Sequence, residues 1–305
     1  MNPTLVVALK AIAYLVFAVL ASPLIEGVMR KIKAIVHSRK GPPIRQPYLD
    51  LAKLLVKEDL SSQSGFVARL APPAAFASAL TASFFVPFGV GAPAGGAGDF
   101  FLFICLITLS SACIMAGALV QTSPFSHVGG AREMMMVLTV EAVLVISLLV
   151  VGISGRSALL TALAGAPFRF SFLLGLFCYF FAMQAMLGKL PFDIPEAEQE
   201  IMDGPFIEYS GPSLALFKWT FYVKQLVFAS LFLNLFIGLP RISVWGALGS
   251  LVNFAINYVG VIVVAVLVVL VDVTNPRLRI DQSMRFFAGL IGVSLVGVGL
   301  AAFGL

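Results

Sequence analysis

Charge is what this chain lacks. Only 11% of its 305 residues are Asp, Glu, Lys or Arg, well below the about 25% typical of soluble domains. The hydrophobic share is 60%. A water-soluble core cannot hide that much apolar surface, so lipid is expected to be the solvent for most of the chain. Cysteine is also scarce. Cys105, Cys113 and Cys178 all lie in apolar runs and form no C-x-x-C pair. That argues against a zinc or iron–sulfur site in this chain and makes them small packing residues. His37 and His127 stand far apart with no metal-ligand spacing. No P-loop, dinucleotide fingerprint or nucleophilic triad is present. The net charge of +5 comes mostly from loops and is not a nucleic-acid signal. The first apolar run lacks an A-x-A cleavage site and reads as an anchor, not a removed signal peptide.

What is present is a series of long apolar segments. Eight can cross a bilayer core of about 30 Å at 1.5 Å per residue: 3–28, 70–90, 99–120, 132–153, 170–189, 214–237, 246–271 and 285–304. The expected fold is an all-α membrane protein with about eight transmembrane helices, one polytopic domain over 1–305. Pro and Gly mark the joins: Pro93 with Gly95 and Gly96, Pro124, Pro167, Gly211 with Pro212, Gly238 with Pro240, and Asn275 with Pro276. Basic residues alternate between loops. The loops about 29–69, 121–131, 190–213 and 272–284, with their flanks, hold Arg30, Lys31, Lys33, Arg39, Lys40, Arg45, Lys53, Lys57, Arg69, Arg132, Lys189, Arg277, Arg279 and Arg285. The other side has Arg156, Arg169 and Arg241. The basic side is expected to face the cytoplasm, with both termini outside, in the cell inner membrane.

The acids are concentrated. Residues 189–211, KLPFDIPEAEQEIMDGPFIEYSG, hold six of the fifteen: Asp193, Glu196, Glu198, Glu200, Asp203 and Glu208. Asp193 followed by Pro195 and Glu196 suits an N-cap with a capping-box acid, and Gly204–Pro205 suits a stop. The expected element is a short helix over 193–203. On it Asp193, Glu196, Glu200 and Asp203 fall within an arc of about 80°, with Glu198 facing away. Crowded carboxylates raise each other's pKa values and share protons, as a proton path requires. A solvated surface helix is the plainer alternative.

Other ionisable groups lie at membrane depth, where they are costly and usually face protein or water. Glu133 opens the fourth segment and Glu141 lies eight residues deeper. Glu26 and Asp272 sit near segment ends, where pairing with Arg is as natural as function. Lys224 is a candidate partner for the acids, whereas Lys218 suits snorkelling to the interface. The loop RKGPPIRQPYLDLAKLLVKED, 39–59, enters through prolines and then reads as an amphipathic surface helix with Tyr48, Leu51, Leu54 and Leu55. Its basic residues Arg39, Lys40 and Arg45, with Tyr48, also suit docking of a partner.

PFDIPEAEQEIMDGPFIEYSG closely resembles the PFD-x-x-EAE-x-E…EYSG segment of the respiratory complex I subunit 1 family, which also has eight spans. GAREMMMVLTVE at 130–141 and RLRIDQSMR at 277–285 resemble two further landmarks of that family. With the Arg-x-Gly-Pro loop, four landmarks occur in family order across nearly the whole chain. Gly188, Lys189 and Leu190 stand where complex I members typically carry Asn-Arg-Ala. The loop PPIRQPYLDLAKLL is shortened, and FKWTFYVKQLVF follows EYSG. These departures resemble the membrane subunit of energy-converting [NiFe] hydrogenases and formate hydrogenlyases.

The resemblance implies a subunit with no cofactor of its own. It would anchor the [NiFe] large subunit, an iron–sulfur small subunit and an iron–sulfur protein, beside antiporter-like membrane partners. It implies coupling of their electron transfer to proton or sodium movement. The coupling acids it implies are Glu133, Glu141, Asp193, Glu196, Glu200 and Glu208. Asp203, Lys224 and Asp272 join them as candidates for the ion path, and Arg277 and Arg279 join the docking residues. A quinone-binding complex I subunit and a stand-alone cation transporter are the alternatives; the lack of clear inverted halves weighs against the second.

Overall fold

In hydrocarbon, backbone N–H and C=O groups must satisfy one another, and continuous apolar runs do so as helices. The computed structural model describes residues 3–60, 65–88, 92, 98–163, 169–238 and 246–304. Pro93, Gly95, Gly96, Pro167, Pro240 and Arg241 lie outside the described residues, as does the side chain of Glu198. The helices are α1 (Pro3–Val36), α2 (Gln46–Val56), α3 (Phe66–Ser83), α4 (Phe100–Val120), α5 (Pro124–Gly155), α6 (Leu160–Leu163), α7 (Phe170–Met186), α8 (Glu198–Ile201), α9 (Gly211–Phe232), α10 (Gly246–Thr274) and α11 (Ile280–Ala302). Among the described residues the β-structure is a single antiparallel bridge, Asp99 to Leu159.

The eight apolar segments coincide with α1, α3, α4, α5, α7, α9, α10 and α11. Among the described residues six helices are long and apolar enough to cross a membrane, α3 and the 17-residue α7 not being among them. The chain is a multi-pass membrane protein. At 34 and 32 residues, α1 and α5 reach roughly 50 Å and project beyond a core of about 30 Å. Proline in its first turn lets α5 begin at Pro124, ahead of the apolar run.

α9 is the axis of the bundle. It is apolar nearly all round, the pattern of a fully enclosed helix, and every residue from Val223 to Phe236 is buried. Helices α1, α3 and α10 pack directly on it, α4 leans on α3, and α5, α7 and α11 form the adjoining layer. A π-helical turn, Leu233–Ile237, extends α9.

Three local elements differ from their expected form. The segment 70–90 is not helical throughout: α3 stops at Ser83 and residues 84–88 turn back into the bundle. Their backbone is satisfied by side chains. The Tyr14 hydroxyl accepts from the Phe88 amide at 2.8 Å and donates to the Val86 carbonyl. Asn234 Nδ2 donates to the Pro87 carbonyl at 2.7 Å. Second, α2 is amphipathic as expected, but its inner face is committed to protein. Leu51 packs on Ala215 and Tyr222, and the Tyr48 hydroxyl donates to the Leu20 carbonyl of α1. Leu49, Leu55 and Val56 remain exposed. Third, the helix expected over 193–203 is only the four residues of α8. Asp193 and Glu196 lie in turns before it, and Met202 and Asp203 after it are left-handed, at φ of 48° and 67°. The single-faced carboxylate stripe is therefore not formed.

Close approach of α1 to the loop before α2 depends on Gly27. A β-carbon there would lie 2.0 Å from the Ile44 carbonyl oxygen, a backbone atom that cannot move alone. Gly289 on α11 faces open space. Gly27→Val should lower thermal stability in detergent by about 1–3 kcal/mol, the usual cost of overpacking. Gly289→Val should not lower it. Equal unfolding temperatures for the two variants would refute the close approach.

Candidate functional site

The acidic loop is built by tertiary contacts, not by helix propensity. α7 ends at Met186, and Gly188 turns the chain with φ of 60°. The Leu190 amide donates to Asp272 Oδ1 at 2.9 Å, and the Leu190 carbonyl accepts from Gln184 Nε2 at 2.7 Å. The Pro191 carbonyl accepts from the Leu278 amide at 3.0 Å. The Leu190–Pro191 peptide is cis. At the far end Gly204 packs against Pro195, leaving no room for a side chain. Gly129 of α5 leaves none either, against Pro205 and Gly204.

This frame sorts the acids into held and poised groups. Asp193 Oδ2 accepts from Arg277 Nη2 at 2.5 Å, and Glu200 Oε2 accepts from Arg132 Nη1 at 2.5 Å. The Arg132 hydrogen bond, reinforced by the charges of Arg132, Arg277 and Arg279, holds Glu200 below the usual carboxylate range. Glu196 is the opposite case. Burial, with the nearby charges of Asp193, Glu133 and Asp203, pushes it up to about 8, against the pull of Lys189. Neutral near pH 7, it can still release a proton within the physiological range. Glu208 stands apart and accepts from the Thr122 hydroxyl at 3.1 Å, tying the end of the loop to the α4–α5 corner.

A second network joins α1, α2, α9 and the turn after α7. Arg30 pairs with Glu26 at 3.2 Å and Asp50 at 2.8 Å, and donates to the Tyr222 hydroxyl at 3.0 Å. Lys189 pairs with Glu26 at 3.2 Å, and Lys33 pairs with Asp272 at 2.7 Å. Glu26, Arg30, Lys189 and Glu196 line a cleft of about 240 Å³ walled by Phe217 and Phe221.

Deeper in the bundle lies Lys224 on α9, with only 1% of its surface exposed. Its Nζ donates to Ser111 Oγ at 2.9 Å and stands 5.7 Å from the centre of the Phe221 ring. Glu133 and Glu141 of α5 both feel its charge, and Glu133 in turn feels Glu196. The electrostatic neighbours thus run from the loop inward: Glu196, Glu133, Lys224, Glu141.

The structure therefore brings together Glu133, Glu141, Glu196 and Lys224. It places Asp193, Glu200 and Asp272 in ion pairs at the rim, leaves Asp203 exposed beside the cleft, and sets Glu208 apart. Arg39, Lys40, Arg45 and Arg279 are exposed on the basic face, and Arg277 is half-buried. Sequence reasoning missed Gln184, Asp50, Tyr222 and the Lys189–Glu26 pair. The i,i+4 spacing of Glu26 and Arg30 was the one local signal available. Among the described residues no group of three or more His, Cys, Asp or Glu could hold a metal.

The family model described as NADH dehydrogenase matches residues 9–302. Hydrogenase-4 component C of Escherichia coli (strain K12) is 34% identical over 96% of this chain and 93% of its own length. Formate hydrogenlyase subunit 4 of the same organism is 32% identical over 93% of this chain and 96% of its own. An NADH-quinone oxidoreductase subunit of Dehalococcoides mccartyi is 32% identical over 87% of this chain and 76% of its own. Among solved structures, a chain of a membrane-bound sulfane sulfur reductase, an archaeal respiratory membrane complex, superposes with a TM-score of 0.90 at 26% identity. That match covers 97% of this chain and 99% of the other.

The raised pKa of Glu196 gives a signed pH dependence. The unfolded chain releases this proton from about pH 4.5, while the folded chain keeps it to about 8. Stability contributed by Glu196 thus falls as pH rises through that window and levels off above it. Glu196→Gln removes the term. Thermal unfolding in detergent from pH 5 to 9 should show the variant gaining on the wild type toward pH 8–9. Parallel curves would show that Glu196 titrates normally.

Proposed function

The chain belongs to the NADH dehydrogenase family, and we propose that within it this chain is the membrane subunit of an energy-converting [NiFe] hydrogenase. In this reading the basic face lies in the cytoplasm of the inner membrane, and both termini lie outside. All eight long helices cross the bilayer. A module of [NiFe] large subunit, iron–sulfur small subunit and iron–sulfur protein docks on the basic face, and antiporter-like subunits lie beside the chain in the membrane. The near-complete overlap with hydrogenase-4 component C and formate hydrogenlyase subunit 4 supports this choice within the family.

One observation carries the coupling role: Lys224, buried and bonded to Ser111, interacts electrostatically with two carboxylates of α5, Glu133 and Glu141, and Glu133 also interacts with Glu196 in the loop under the docking face. A unit charge arriving about 10 Å from Glu196, at an effective dielectric of about 20, is worth roughly 1.7 kcal/mol. That is about one pKa unit, enough to change the proton occupancy of a group that titrates near 8. Electron transfer in the docked module can thereby load or unload Glu196, and Glu133, Lys224 and Glu141 pass the change inward. The held acids Asp193 and Asp272 position the loop in this scheme. The cleft beside Glu196 counts against a quinone site. At about 240 Å³ it lies below the about 300–1,000 Å³ usual for small-molecule pockets, and its walls are heavily charged.

Glu141→Gln should abolish coupled ion uptake into inverted membrane vesicles while the hydrogenase module still co-purifies. Wild-type uptake in that variant would remove Glu141 from the path. Vesicles assayed in sodium-free and proton-buffered media identify the ion.

A further inference from the structure

On the basic face, where α5, α8 and the start of α11 meet, three guanidinium groups converge on one carboxylate. A pocket of about 220 Å³ is lined by Arg132, Arg277, Arg279, Glu200 and Asp281 among others. Arg132 holds Glu200 at 2.5 Å, and Arg277 and Arg279 both act on the same carboxylate. Arg277 gives Nη2 to Asp193 Oδ2 at 2.5 Å, while its buried Nε and the buried Asp193 Oδ1 have no partner. Arg279 is exposed and makes no ion pair among the described residues. Glu200 is the loosest member. Its side chain is 53% exposed, and ion pairs this open contribute little to stability. It rides on the four-residue α8, which is followed by the left-handed residues Met202 and Asp203. Such a segment has no helical cooperativity to hold it in place.

We propose that this three-arginine basin is the receptor for a carboxylate on the docked cytoplasmic subunit, and that Glu200 is a built-in stand-in displaced when that subunit binds. The inference rests on the docking reading above and adds the chemistry of one contact. The site already accepts a carboxylate at contact distance, and planar guanidinium groups favour that shape. With Asp193 and Asp281 in place, displacing Glu200 leaves three arginines against two aspartates, a net charge of +1. One carboxylate balances it. A phosphate monoester, at about −1.5 to −2, overfills it. Displacement also frees Glu200 from the Arg132 hydrogen bond that holds it ionised, so docking reports directly to the acidic loop.

The test is release of the soluble module from membranes or detergent-purified complex by increasing salt, which screens such contacts. Glu200→Gln removes the competitor and should slow release by up to about fivefold, the worth of one exposed ion pair. Arg279→Gln and Arg132→Gln should speed release. Unchanged or faster release from Glu200→Gln overturns the proposal. If that variant instead retains more phosphatidylglycerol or cardiolipin, measured in the purified complex, with module release unchanged, the basin is a lipid headgroup site and the proposal is also overturned. Absence of any hydrogenase module from wild-type purifications would refute the docking reading itself, a result distinct from a wild-type complex that ignores all three substitutions.

Discussion

A lysine buried at membrane depth is the constraint around which this bundle is arranged. Lys224 has almost no access to solvent, and among the described residues its amine donates to Ser111. Removing an ion from water costs several kcal/mol even after relaxation, and only opposite charge nearby offsets it. α5 supplies two carboxylates that interact with it, Glu133 and Glu141, eight residues or about 12 Å apart along the helix. The enclosure of α9 follows from the same need. Thr220, Lys224, Gln225 and Ser230 on α9, and Asn234 in the π-turn that extends it, are all buried, as a ring of neighbouring helices allows.

Division of labour among the remaining acids follows from who claims them. Arginines at the rim take Asp193 and Glu200, and Lys33 and the Leu190 amide take Asp272. These pairings shape the loop. Glu196 has no arginine partner among the described residues; burial and the neighbouring acids make it keep its proton to about pH 8, close enough to physiological pH for that proton to move. Gly188 next to Glu196 turns the chain at φ of 60°, backbone that favours glycine.

The long helices were legible because hydrocarbon leaves an apolar run few choices. The paired depth of Glu133 and Glu141 was legible because eight residues on a helix is a fixed distance. The acidic loop was not, although Asp193, Pro195 and Glu196 have the spacing of a capped helix start. That spacing records only what the segment could do alone. Arg277, 84 residues away, takes the Asp193 carboxylate, and Leu278 takes the Pro191 carbonyl. Met202 and Asp203 then adopt left-handed backbone at a cost of about 1–2 kcal/mol each, sustained by the packing of Gly204 on Pro195. Likewise Lys189 and Glu26 are 163 positions apart, and no local pattern could have paired them. Fold class lived in local hydropathy, whereas the geometry of the site lived in long-range pairing.

That split bears on how relatives with different electron acceptors can share one frame. On the proposed reading, the path from Glu196 through Glu133 and Lys224 to Glu141 uses side chains of this chain alone, and it needs only a change of charge near the loop. A charge acts through distance and dielectric, not through the shape of the molecule that carries it. In that reading the groups that match a particular partner are the exposed Arg39, Lys40, Arg45 and Arg279, which lie apart from the buried Lys224. They can change with the partner while the lysine and its carboxylates keep their places. Removing a carboxylate takes charge from beside a buried amine, whereas substituting one of those four residues alters only an exposed contact.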